Sequence, residues 1–407
     1  MKFGRDWGRL GLRSKLSDIC YFYEGRVVVV DLDLDTYIST ENMIPNKGGV
    51  VRSAGLPATS QTQAFRDGDV LVSNIRPYFR KIWLADRNGG CSNDVLVFRA
   101  NDDVNPNFLY YLLSSDNFFD YATATAKGTK MPRGDKRAIM QYSVPDIPID
   151  EQINIAKTLS VLDCRIAENK KINHHLEQMA QAIFKSWFVD FEPWGGVMPS
   201  DWCKVRIGDL PVTVTDYVAN GSFASLKENV QYLNTPTNAI LVRLVDYKRN
   251  FNGDFVHITD AAWNFLGKSK LFGGEIIISN VGANAGTIFR CPRLPYKMSL
   301  APNSIMISSA LYENYLYYTF VSDNGQFLLQ SILSGSAQPK FNKTDFKNLG
   351  VICPPNETLD KFNEAISPFY EVSEARKAES QQLERLRDTL LPGLMSGEIS
   401  IADLTAK

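Results

Sequence analysis

Histidine is almost missing from this chain of 407 residues, with only three present. His174 and His175 are adjacent on a predicted helix and point about 100° apart, which is wrong for shared metal ligation. His257 stands between Val256 and Ile258 in a predicted strand, where a structural role fits. The six cysteines (Cys20, Cys91, Cys164, Cys203, Cys291, Cys353) lie far apart, without CxxC or Cys/His clusters. That excludes the usual zinc spacings and a disulfide framework, and it suits reduced thiols in a cytosol. Long apolar runs are missing too. A stretch such as Val27 to Val30 is far too short to span a membrane. No apolar segment follows the first six residues, so no secretory signal is expected and the chain reads as cytoplasmic.

Neither sign of charge predominates, with 44 Lys and Arg against 45 Asp and Glu. The net charge of −1 at pH 7 gives no general attraction to nucleic acid, so such a partner would have to be held by local patches. Catalytic motifs are missing as well: no GxGxxG follows a strand, and there is no GxSxG or HExxH. Gly267-Lys268-Ser269 resembles the end of a phosphate-binding loop. The glycine that loop needs first is Ala262, however, and Trp263 and Phe265 interrupt it. These absences favour a binding protein over an enzyme.

What the chain does contain is itself, twice. Gly128-Thr129-Lys130-Met131-Pro132-Arg133-Gly134-Asp135-Lys136 is echoed by Gly335-Ser336-Ala337-Gln338-Pro339-Lys340-Phe341-Asn342-Lys343, at an offset of 207. Upstream, Asp67 to Ile75 matches Gly273 to Val281 at 206; downstream, Ser143 to Pro148 matches Gly350 to Pro355 at 207. Between them Asn93 to Val97 is aligned with Asn303 to Ile307 at 210. A unit of half the chain marks a duplicated domain rather than a solenoid.

Each half opens with short β-branched runs bounded by Gly, Pro and Asn, which predict strands. Each closes on a long segment of helical periodicity. Apolar residues recur at Leu159, Leu162, Ile166, Leu176, Met179, Ile183 and Trp187, and again at Ile366, Phe369, Val372, Leu383, Leu386, Leu390 and Leu394. Glu168 to Lys171 and Glu379 to Gln382 read as solvated faces, and Pro392-Gly393 as a stop or kink. A helix of about 40 residues extends roughly 60 Å, and its obvious partner is its own repeat. The expected fold class is α+β: two similar mixed α/β domains in tandem, separated by two long helices that form an antiparallel coiled coil. The expected bounds are 1–149 and 193–355 for the domains, 150–192 and 356–396 for the helices, and 397–407 for a tail.

The repeated loops are the candidate binding sites. The first carries Lys127, Thr129, Lys130, Arg133, Lys136 and Arg137 against one acid, Asp135. The second offers Ser336, Gln338, Lys340, Asn342 and Lys343. Short basic loops with a hydroxyl and a proline suit phosphate contact. A further candidate is the stretch with Asn74, Arg76, Tyr78, Arg80 and Lys81, where cations alternate with aromatics and arginine could reach a base edge. In the second half this stretch keeps Asn280 but replaces the arginines with Gly and Ala. Two readers of different preference would then recognise a bipartite, non-palindromic DNA site.

Asp67 to Tyr78, Asn173 to Glu192, Ser334 to Pro355 and Leu390 to Ile401 together resemble the specificity subunit of type I restriction–modification systems, across essentially the whole chain. The resemblance implies two target-recognition domains, each reading one part of a split site in double-stranded DNA. It implies a non-catalytic chain that holds no cofactor and docks two methyltransferase subunits and, through them, restriction subunits. S-adenosylmethionine, Mg and ATP are then expected on those partners. On the resemblance, the aromatic residues Trp187, Phe188, Phe191 and Trp194 become a candidate docking surface, local packing being their other reading. The competing function classes are a coiled-coil protein-interaction scaffold without a DNA role, and an enzyme with an unrecognised site.

Overall fold

The computed structural model describes residues 13–335, 337–396, 398, 399 and 401. Candidate Ser336 and most of the tail lie outside them. Two compact units are present: residues 1–171 with 376–407, and residues 172–375. Each unit contains a globular part and a piece of both long helices.

In the first unit a central antiparallel sheet has the order Cys20–Phe22, Val95–Ala100, Val70–Ser73, Ile82–Leu84. Its middle strands are buried on both faces, which explains why they read as continuous apolar runs. Val70, Val72, Leu96 and Phe98 face a helical layer that includes Phe108, Leu112 and Phe118. Leu71, Val95 and Val97 face a second sheet through Ile38, Phe65 and Cys91. The second unit repeats the central sheet as Thr213–Asp216, Ser304–Ser308, Ile276–Ser279, Ile288–Arg290. A two-stranded ladder closes the base of each globular part: Arg13–Lys15 with Ser143–Pro145, and Cys203–Arg206 with Gly350–Cys353.

Strand register corrects one sequence alignment. Ser73 pairs with Val95 and Ser279 with Ser304, so the third block repeats at an offset of 209, not 210. Only at 209 do Leu96 and Phe98 fall on the same face as Ile305 and Ile307. A slip of one residue would turn every side chain to the opposite face.

The long helices run Ile149–Phe188 and Asn356–Ser396. The first starts behind Pro148, with Asp150 and Glu151 in its first turn, where carboxylates favour the positive helix end. It stops short of the expected 192 because Phe191 takes a left-handed conformation ahead of Pro193. The second passes through Pro368 and Pro392 and continues to Ser396. Pro392-Gly393 is therefore no stop. Gly393 instead gives Ile399 room to fold back, since a Cβ there would lie 2.5 Å from the Ile399 side chain.

Within each unit the helices pair antiparallel. In the first, Asp163 meets Arg387 (2.7 Å), Arg165 meets Glu379 (2.9 Å) and Asn169 meets Arg376 (3.3 Å). In the second, Ala180, Phe184 and Phe188 pack with Leu359, Phe362 and Ile366. The stretches that read as solvated faces are exposed at Glu168, Lys170, Lys171 and Gln382 and corrected at two positions. Asn169 is completely buried and Ser380 nearly so. Asn169 donates to Glu379 (3.0 Å), which also holds Arg165 and Arg376. A satisfied polar cluster inside a helix pair fixes register at some cost in stability, because any other register leaves it unpaired. Conversely, Met179, Val372 and Leu386 of the expected stripe are exposed.

Candidate nucleic-acid interface

The basic loop of each half is hung on the strand end by one shared set of backbone bonds. In the first half, Lys127 and Arg133 exchange N–H to carbonyl bonds at 2.8 and 2.9 Å, closing a tight loop. Arg76 donates to the Pro132 carbonyl (2.8 Å) and Gly134 to that of Asn74 (3.1 Å). The second half repeats this residue by residue. Ser334 and Lys340 exchange bonds at 2.8 and 2.9 Å, Gly282 donates to Pro339 (2.8 Å) and Phe341 to Asn280 (3.1 Å). The turn needs positive φ directly after the first bridging residue. Gly128 (φ 97°) and Gly335 (φ 89°) supply it where an L side chain would be strained.

Asn74 and Asn280 lie under these loops rather than on them. Asn74 is buried, and the Asn280 amide donates to the Phe341 carbonyl (2.9 Å). The Oδ1 of each is buried without a partner. The sequence expectation had both as DNA contacts; the structure places them beneath the loops, with Asn280 holding its loop through Phe341. Asn342 is corrected in part: its Oδ1 caps the short helix Lys343–Lys347 by accepting from the Asp345 N–H (2.9 Å). Its counterpart Asp135 caps Lys136–Ile139, accepting from Arg137 (2.9 Å) and Ala138 (3.3 Å). Lys127 at 2.5 Å and those two N–H groups hold the Asp135 carboxyl below its usual range.

Several predicted cations are spent on the protein itself. Arg133 bonds both oxygens of Asp94 (3.1 and 3.4 Å), and Lys343 pairs with Asp216 (3.1 Å). Arg80 pairs with Asp116 (2.9 Å) and Asp120 (3.5 Å). Lys81 donates to the Thr40 carbonyl (2.5 Å), and desolvation lowers its pKa. Arg80 therefore ties the 74–81 stretch to the helix Asp116–Ala124 and Lys81 ties it to the loop at Thr40, contrary to the reading as free contacts. Thr129, Lys130, Arg137, Gln338 and Lys340 are exposed, and none of the three cations among them forms an ion pair among the described residues. Lys136 is exposed with its ammonium 5.7 Å from the Phe22 ring. Arg76 is half-buried in a left-handed conformation (φ 50°), beside an exposed Tyr78 stacked edge-on against Phe79. The structure thus joins the 74–81 stretch and the first basic loop into one surface through the Ile75 to Arg133 bridge.

The aromatics of the candidate docking surface pack locally, with Trp187, Phe191 and Trp194 half-buried. Phe188 is in the core of the second unit, 4.9 Å from Phe362 between ring centroids. Trp194 and Phe191 pack on Trp202 at 4.8 and 5.8 Å, and Trp187 on Trp194 at 6.1 Å. These side chains fasten the helix end to its own domain, because a chain leaving a helix at an aromatic cluster buries that cluster locally.

Sequence reasoning missed the loop that follows the short parallel strand in each half. In the first, the N–H groups of Asn46 and Lys47 donate to the carbonyls of Phe79 and Arg80 (2.8 Å each). In the second, Lys248 donates to Asn284 (2.6 Å). Beside that loop lies a cleft of about 410 Å³, lined among others by Tyr232, Arg243, Ser279, Val281 and Asn303. Asp246 fixes the Arg243 guanidinium by bonds of 3.0 and 2.6 Å. The run Tyr247-Lys248-Arg249-Asn250 sets two cations beside an aromatic, and was the available signal.

Comparison with known proteins agrees with this layout. A family model described as the type I restriction modification DNA specificity domain matches residues 15–178 and 199–385. The chain is 27% identical over 318 residues to the type I restriction enzyme MjaIX specificity subunit of Methanocaldococcus jannaschii, covering 74% of this chain and 71% of that one. It is 24% identical to the HindI specificity subunit of Haemophilus influenzae, covering 89% and 94%. In fold it is similar to the crystal structure of a type I restriction–modification S subunit from M. genitalium, with a TM-score of 0.57 at 16% identity over 97% and 98% of the two chains.

Proposed function

This chain belongs to the type I restriction–modification DNA specificity family, and from that membership we propose that it reads a bipartite, asymmetric site in double-stranded DNA. The observation that carries the reading is the duplicated loop frame. Identical backbone bonds present different residues: Lys130 and Met131 in one half, Ala337 and Gln338 in the other. A constant frame suits backbone phosphates, which carry no sequence information, and variable tips suit base edges, which do. Exposed Lys136, Arg137 and Lys340 are the phosphate contacts. Arg76, Tyr78 and the cleft at Arg243 are the candidate base contacts. Local patches of this kind supply the attraction that a net charge of −1 does not.

On the same reading the chain catalyses nothing. It docks two adenine methyltransferase subunits and, through them, restriction subunits, so S-adenosylmethionine, Mg and ATP belong to those partners. Mapping methylated adenines in cells that express this chain with its methyltransferase tests the proposal. The expected result is a split motif with a fixed unspecified gap, lost when this chain is deleted. A continuous palindrome, or methylation that ignores the deletion, would overturn it.

A further inference from the structure

We propose that Cys203 and Cys353 form an oxidisable cross-strand dithiol, which a hydroperoxide converts to a disulfide stapling the first strand of the second globular part to its last. The two residues are register partners at the end of the antiparallel ladder Cys203–Arg206 with Gly350–Cys353. Directly opposed residues of such a ladder place their side chains on one face. The Ile207 N–H donates to the Leu349 carbonyl at 2.9 Å, which marks that pair as hydrogen-bonded. Alternation along the ladder makes the 203/353 pair hydrogen-bonded also, with Cα atoms about 5.5 Å apart. That lies within the roughly 4.4–6.8 Å between Cα atoms that a disulfide spans, and the Cβ atoms of such a pair, about 5.5 Å apart, need to close by roughly 1 Å to reach bridging distance.

The other cysteines are unsuited. Cys20, Cys91 and Cys291 are buried, and burial pushes the thiols of Cys20 and Cys91 up to about 12, away from the reactive thiolate. Cys164 is exposed but has no register partner. Cys203 is exposed and Cys353 half-buried, with the Cys353 sulfur 3.7 Å from the Tyr312 hydroxyl. That arrangement gives an accessible attacking thiol and a resolving thiol held in place.

In the chemistry, the Cys203 thiolate attacks one oxygen of hydrogen peroxide and becomes a sulfenic acid, while the O–O bond breaks and the departing hydroxide takes up the proton the thiol had released, leaving as water. The Cys353 sulfur then attacks the Cys203 sulfur, displacing a second water. Two thiols are oxidised and one peroxide is reduced. The closed loop of about 150 residues restricts the unfolded chain. It also locks the point where the chain enters the second long helix at Asn356. No equivalent exists in the first half, where Pro145 pairs with Arg13 and the residue matching Cys353 is Asp146.

The test treats the purified full chain with limiting hydrogen peroxide and maps its peptides without reduction. Expected are a Cys203–Cys353 linkage within one chain, the loss of both thiols together, and their recovery with dithiothreitol. The linkage should survive Cys164→Ser, and Cys203→Ser should leave the Cys353 thiol free. Recovery of both cysteines unlinked while Cys164 is oxidised, or linkage of Cys203 to any other cysteine, would overturn the proposal.

Discussion

The two halves share a skeleton and differ in how they finish it. Each has a second sheet built on the same three strands, Tyr37–Ile38, Gly89–Cys91 and Gln61–Phe65 in one, Ala239–Val242, Lys297–Leu300 and Lys270–Leu271 in the other. The fourth strand is then added at opposite edges. Arg26–Val28 joins the Gln61–Phe65 edge, whereas Val256–Ile258 joins the Ala239–Val242 edge. The edge with free N–H and C=O groups therefore differs, and so does the terrain beside each basic loop. Duplication fixes what must be buried and bonded, and leaves the sheet edge and the loop tips free to vary.

The turn before the central strand shows the same division. Asp69 accepts from the Arg66 N–H (2.8 Å), and Glu275, at the matched position, accepts from those of Phe272 and Gly273 (2.7 and 2.9 Å). Only the first half adds a buried arginine. Arg99 meets both oxygens of Asp69 at 2.7 Å, and the place of Arg99 is taken by Ser308 in the second half. Arg99→Ala strands a carboxylate that is 1% exposed. It should destabilise the first unit by about 3–5 kcal/mol, read as faster amide exchange there, whereas Ser308→Ala should stay within about 0.5 kcal/mol. Equal effects would erase the distinction.

A titrating group distinguishes the second half. Gly68 lies against Pro106, but its counterpart Gly274 lies against Glu313, whose buried Oε1 has no partner. Burial raises the Glu313 carboxyl from 4.5 to about 7, although Arg290 and Arg293 draw it down. The folded state therefore holds this proton more tightly than the unfolded chain does. Glu313's contribution to the stability of the second unit should be full below about pH 4.5, fall as pH rises towards 7, and stay lost above that. Glu313→Gln should remove that slope while leaving the first unit unchanged, as monitored by pH-dependent denaturation with Trp202 fluorescence as the second-unit probe.

The smallest effect concerns the paired asparagines. Asn280→Ala loses the bond to Phe341 and should cost about 1 kcal/mol, seen as easier proteolysis of the 335–343 loop. Asn74→Ala removes an oxygen that is already unpartnered and should cost less. The reverse order would show that the loops are not hung alike.

Much of this was legible in the sequence. The repeat, the β-branched strands, the two long helices and the basic loops are local patterns, and the structure contains each of them. What misled were residues whose role depends on a distant neighbour. Asn169 looks solvated by type, yet it is buried because Glu379 and Arg376 approach it from the other helix. Arg80 and Lys81 look like free cations until Asp116 and Thr40 arrive beside them. For Trp187, Phe188, Phe191 and Trp194 the sequence left docking and local packing both open, and contacts with Trp202 and Phe362 supply the packing.

The sequence by itself determined that this protein is one recognition unit written twice, because hydrophobic period, proline and glycine act on the chain within a few residues of themselves. Only the tertiary structure decided the 209 register, which cations remain free, and that Cys203 faces Cys353. Those depend on which strand or helix comes alongside, and elements far apart in the chain meet only through packing and hydrogen-bond alternation.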